Sequence, residues 1–190
     1  LLIMMCLYVS TISSQNFKFG KVSKEELSEK VHPLDSTAKA AYLNIHKEVF
    51  IEYTTSSGWQ LVTLVSKRIK IYSKEAAKYA TEEVSLFKRG GTDERLSDLK
   101  AYTYNLENGK IRKEKLQKSQ IFETEASRNW FSKKFTMPNV KEGSVLEFKY
   151  RKTSPYFQFL DKFELQHSIP INKLFQNILF ILFIIRGIYK

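Results

Sequence analysis

Three histidines, His32, His46 and His167, are the residues whose side chains could most readily ligate a metal or shuttle a proton. A zinc centre draws its ligands from short, recurrent spacings or from convergence in space. None of the three stands in an H-x-H or H-x-x-x-H pattern, so the sequence reads them as separate, satisfied side chains. Glu48 with Glu52, and Glu142 with Glu147, are the available carboxylate pairs. Hydrolysis by such a pair needs two carboxyls across a cleft with separated pKa values. Glu48 and Glu52 instead share one strand face among lysines, the ordinary solvent pattern. Ser56, Ser57 and Ser154 lack an adjacent base and a G-x-S-x-G elbow. Gly90-Gly91 is not followed by the Lys-Ser or Lys-Thr of a phosphate-cradling loop. These residues predict no catalytic, cofactor-binding or metal-binding side chain, and a chain that is not an enzyme.

The aromatic residues Trp59, Tyr102, Tyr104 and Trp130 are the candidate ligand platform, suited to a glycan or a peptide. Their competing use is core packing and cross-strand pairing.

The elements that would position them read mostly as strands. Ser23 and Glu26 have the S-x-x-E spacing of a capping box and predict a short helix from Ser23 to Lys30, ended by Pro33. In Lys47 to Tyr53, Val49, Ile51 and Tyr53 alternate with Glu48 and Glu52. Trp59 to Tyr72 reads as a long strand whose Leu61–Val65 centre is apolar on both faces and so belongs mid-structure. Lys74 to Glu83 is ambiguous between a helical turn and a strand. Asn108-Gly109, the dipeptide that tolerates positive φ, predicts a hairpin between Leu96–Leu106 and Lys110–Leu116. Further strands are expected around Ile121, over Phe131–Thr136, Ser144–Lys152 and Phe163–Ile169. In Ser144–Lys152, Leu146, Phe148 and Tyr150 define a dry face; Glu147, Lys149 and Arg151 define a wet one. The fold class predicted is all-β, an antiparallel β-sandwich with one or two short helices.

Composition agrees with one packed domain: 190 residues, 43% hydrophobic and 14% aromatic. The net charge is +11, with lysines spread over strands and mixed with acids, a pattern of solvated surface rather than of a nucleic-acid groove. Residues 1–14, LLIMMCLYVSTISS, are uncharged and end in small polar residues, which predicts a partial signal peptide and export to the periplasm or cell envelope. Cys6, the only cysteine, would leave with it.

The runs VHPLDSTAKAAYL, WQLVTLVSKRIKIYSKEA, AYTYNLENGKI and KFTMPNVKEGSVLEFKYRKTSPY, in that order, together resemble one family. It is the bacterial domain of unknown function catalogued as three-eight-five-seven, and the likeness spans residues 17–174. The family's D-x-x-A element corresponds to Asp35 and Ala38, and its M-P-x-x-x-x-G-S element to Met137, Pro138, Gly143 and Ser144. The resemblance implies an exported β-sandwich that precedes a transglutaminase-like domain of papain type. No Cys, His or Asp of that catalytic domain can be placed on this sequence. The implied role is a non-catalytic accessory or binding module whose partner is the transglutaminase-like domain. The alternative is an autonomous envelope domain for a glycan or peptide, with no nucleic acid.

The sandwich is expected to occupy residues 15–174. Residues 175–190 form an apolar tail that departs from the family pattern, where a segment like Pro-Glu-Tyr-Phe is usual. A one-base frame shift turns codons for that segment into codons for Gln-Asn-Ile-Leu, the residues at 176–179. The tail is therefore expected to be out of frame, and Phe175–Ile185 is too short for a membrane span.

Overall fold

The computed structural model describes residues 17–179. The signal-peptide expectation for residues 1–14, and most of the apolar tail, lie outside the described residues. Along the chain run α1 (Lys24–Ser28), β1 (Ala40–Thr54), β2 (Gly58–Ile71), a 3-10 segment (Lys74–Ala80), β3 (Thr81–Arg89) and β4 (Thr92–Asp93). Then come β5 (Arg95–Glu107), β6 (Lys110–Lys115), a short 3-10 turn (Lys118–Gln120), β7 (Ile121–Ser127), β8 (Trp130–Thr136), β9 (Val145–Ser154) and β10 (Leu174–Leu179). They form a six-stranded sheet in the order β10-β1-β2-β9-β5-β6 and a four-stranded sheet, β4-β3-β8-β7. The all-β, sandwich-like class read from the sequence is the one observed.

Alternation explains how the sheets meet. On β2 and β9, Ile69, Leu146 and Phe148 point toward the second sheet, where Phe135 of β8 meets Phe148 edge-on at 5.5 Å. Ala40, Ile71, Ala76, Ala80 and Met137 close the same core, and all are buried. A second cluster, Val84, Leu86 and Phe131, packs with Leu96 and Tyr150. Leu61, Val62 and Val65 are buried, and β2 lies inside the sheet, as its two-sided apolar centre predicts.

The capping box forms: the Ser23 hydroxyl accepts from the Glu26 N–H, and the Glu26 carboxylate accepts from the Ser23 N–H. At the hairpin, Asn108 and Gly109 have φ of 50° and 71°, the positive pair a tight primed turn requires. The ambiguous Lys74–Glu83 stretch divides, 3-10 to Ala80 and strand from Thr81.

Three expectations are corrected. The wet face of β9 is dry at Glu147, which is fully buried because the segment from Phe17 and α1 lies over it. Phe163–Ile169 is not a strand: β10 occupies the β1 edge it would have needed. Residues 155–173 instead form a long connection, with one isolated bridge from Ile171 to Tyr42. The sheet is not wholly antiparallel either, since β10 pairs with β1 in parallel, Ile45 opposite Leu174 through Phe50 opposite Leu179. The last described strand, β10, runs from Leu174 to Leu179.

Candidate functional site

The two sheets converge at Phe135–Phe148 and separate toward the β1 edge, leaving a cleft of about 720 Å³. Its walls are β1, β2 and β9 on one side and β3 with Trp130 on the other; residues 161–167 roof it. That roof is tied down by side chains. The Lys152 ammonium reaches the Asp161 carboxylate at 3.0 Å and Glu94 at 2.9 Å. Lys47 donates to the Lys162 carbonyl at 2.8 Å and lies 4.2 Å above the centre of the Phe163 ring. Gln176 donates to the Glu164 carbonyl, Tyr79 and Ser168 share a hydroxyl–hydroxyl bond, and the rings of Tyr42 and His167 meet at 4.9 Å.

Inside the cleft, Lys67 and Glu82 form a half-buried pair at 2.7 Å. Burial holds the Lys47 ammonium below its usual pKa and raises the Tyr42 phenol to about 12. Tyr150 is also pushed up by burial. Two polar atoms have no partner, His167 Nε2 and Gln176 Oε1. Lys47, Lys67 and Lys152 are committed to carboxylates or to backbone, Lys162 stands at the rim, and Tyr42, Tyr150 and Trp130 supply apolar surface. This arrangement can hold an elongated ligand by shape and a few hydrogen bonds.

The histidines stay apart. His32 Nδ1 accepts from the Leu34 and Asp35 N–H groups, so its Nε2 carries the proton and donates to Asn172 at 2.8 Å. His46 stacks on Phe175 and pairs with Glu48; only His167 borders the cleft. Glu52 pairs with Arg151, and Glu147 is sealed inside a network described below. Among the described residues, no group of three His, Cys, Asp or Glu side chains could hold a metal ion. No helix among them is long and apolar enough to cross a membrane.

The motif residues lie at turns and in the core. Asp35 accepts from the Thr37 N–H and hydroxyl, which holds its carboxyl below the usual range, and the Ala38 N–H donates to its carbonyl. Met137 is buried in the core, with Pro138 beginning the turn after β8. Gly143, at φ 85°, donates its N–H to Ile71, and its carbonyl accepts from Lys70. Ser144 donates to the Asn105 side chain at 2.5 Å and accepts from the Lys141 N–H.

The four platform aromatics do not come together. Trp59 meets Tyr53 at a tilt at the β1–β2 hairpin, and Trp130 packs edge-on against Phe87 of the other sheet. Tyr104 is buried and its hydroxyl donates to Glu147; Tyr102 lies beside it, 6.3 Å between ring centres. By register, Tyr102 is level with Arg68, nine residues along β2 from Trp59, or roughly 30 Å.

Sequence reasoning missed Tyr42, Lys47, Lys67, Glu82, Lys152 and Asp161 as cleft residues. The signal available was the long stretch after Ser154 with its Pro170, since connections of that length in a compact domain usually cover a site.

No family model and no curated protein matches the chain. The chain has a partial fold likeness to a solved structure from Parabacteroides distasonis described as a "putative protease". It covers 61% of this chain and 23% of that one, at 13% identity and a TM-score of 0.49, so this chain spans less than a quarter of that protein.

Proposed function

We propose that the chain is a non-catalytic binding module, exported to the periplasm or envelope, that holds an extended peptide segment for a transglutaminase-like domain. The observation carrying this reading is the roofed cleft in which every lysine except the rim Lys162 is already engaged. A general acid or base must be free to exchange a proton with substrate; Lys67 is instead locked to Glu82 and Lys152 to Asp161, and His167, whose Nε2 has no partner, stands without a nucleophile bonded to it. The volume of about 720 Å³ suits a ligand site, typically about 300–1,000 Å³. The motif resemblance supports the partner, and the apolar opening of the sequence supports export.

The test has two arms. The purified chain, incubated with fluorogenic casein and with a dansylated amine plus casein, is expected to give no cleavage and no amine incorporation. A library of extended decapeptides is expected to quench Trp130 fluorescence saturably, with affinity about tenfold weaker in Lys47→Glu. Turnover that Glu82→Gln abolishes, or peptide binding indifferent to Lys47, overturns the reading.

A second reading, an autonomous glycan-binding domain, is favoured by the exposed Tyr53–Trp59 pair, whose ring centres are 4.9 Å apart. Binding of neutral oligosaccharides lost in Trp59→Ala would select it.

A further inference from the structure

The outer face of the six-stranded sheet, away from the cleft, carries four lysines that form no ion pair among the described residues. Lys100 of β5 lies directly opposite Lys149 of β9. On the next rows Tyr102 faces Lys115 of β6, and Tyr104 faces Lys113. Residues two apart on a strand share a face, so these four lysines stand together on one side of the sheet. None of them takes part in an ion pair among the described residues. Like charges directly opposite on antiparallel strands destabilise a sheet, yet Lys100 and Lys149 hold that arrangement in a chain of net charge +11.

Among the described residues no acid forms an ion pair with these four lysines. Glu147 is bonded to Arg68, Glu114 points to the other face of β6, and the Asp98 and Glu48 carboxylates line the groove at the Lys149 end without pairing with it. With rows about 7 Å apart and strands about 4.8 Å apart, the cations form a diagonal track roughly 17 Å long from Lys149 to Lys113. A groove of about 400 Å³, walled by Phe17 and Phe19, adjoins its Lys149 end. The unpartnered Ser66 hydroxyl lines that groove, and by register Ser66 sits opposite Lys149.

We infer that this track binds a linear acidic polysaccharide bearing one carboxylate per sugar. The charge is complementary, and the layout is a line rather than a broad patch. Single-stranded nucleic acid needs open aromatic faces on which bases stack. Here the Lys113 ammonium sits 3.8 Å from the Tyr102 ring centre and Lys149 sits 4.8 Å from that of Phe19. The carboxylates of a sugar acid meet this surface at its exposed ammonium donors.

The experiment is calorimetric titration of the purified chain with hexagalacturonate in 20 mM and 150 mM salt. Expected is saturable binding that weakens with salt, as charge-driven association does. Lys100→Gln and Lys113→Gln should each weaken it roughly five- to tenfold, while Lys39→Gln, whose lysine pairs with Glu75, leaves it unchanged. Lys100→Gln should also raise the thermal midpoint by relieving its opposition to Lys149, which separates lost binding from lost folding. Three outcomes overturn the inference: no binding in 20 mM salt; equal binding of a neutral galactose hexamer; or tighter, lysine-dependent binding of oligothymidylate or phosphatidylglycerol vesicles. All of these leave the peptide reading of the cleft intact.

Discussion

Lys70 is wholly buried, its ammonium held by the carbonyls of Leu27 and Gly143, each at 2.8 Å. Burial lowers its pKa from 10.5 to about 8. Between those values the unfolded chain keeps a proton that the folded chain has lost, so stability should rise as pH climbs from about 8 toward 10. Above pH 10 the sign reverses. Buried Tyr42, Tyr72 and Tyr104 and partly buried Tyr150 keep protons that unfolded tyrosines release at about 10, because desolvation raises all four. Urea titrations across pH 7–11 should therefore show a maximum near pH 10, and Lys70→Met should remove its rising limb.

Glu147 gathers the Gly20 N–H at 2.7 Å, the Tyr104 hydroxyl at 3.1 Å and Arg68 at 2.6 Å. Arg68→Met leaves that carboxylate buried and uncompensated, which should cost about 3–5 kcal/mol, whereas Arg68→Met with Glu147→Leu should recover most of it. A double-mutant cycle in urea measures both.

At the scale of the element, the turn from Lys141 to Ser144 fastens β9 to the end of β2. Gly143→Ala should destabilise by about 1–2 kcal/mol through its left-handed backbone. The nearest atom to an added Cβ is the Leu27 carbonyl oxygen at 4.0 Å, so space is not the obstacle. A thermal melt compared with that of Glu142→Ala checks it.

These elements also mark what the sequence disclosed. The capping box, the Asn-Gly turn and the two-sided apolar run of β2 are local signals, and local signals suffice for short-range structure. Glu147, Lys70 and Arg68 were not legible as buried residues. Their burial depends on a segment more than forty residues away folding across the sheet, and period-two alternation cannot register that. The cleft was hidden for the same reason: Lys67 and Lys152 look like solvent cations until Glu82 and Asp161 arrive from other elements.

For the molecule as a whole, the two sheets depend on one shared seam. Phe135→Ala should cost about 3–5 kcal/mol and weaken both sheets together, because its ring is fully buried against Phe148. Trp130→Ala, whose side chain is 45% exposed, should cost far less. Circular dichroism melts of the two variants distinguish a shared seam from independent layers.

The parallel pairing of β10 with β1 sets an order of events during synthesis. Its partner residues, Ile45 and Leu174 at one end, are among the most distant in sequence that touch, and such closures are slow. β10 follows every other described strand along the chain, so the cleft stands without this edge until residues 174–179 have left the ribosome. Pulse-labelled hydrogen exchange during refolding should find the amides of Gln176 and Asn177 protected last; simultaneous protection with β2 would refute that sequence. A nascent chain is thus open to capture along β1, and chaperone contact in that interval would fall on Ile45 and Val49.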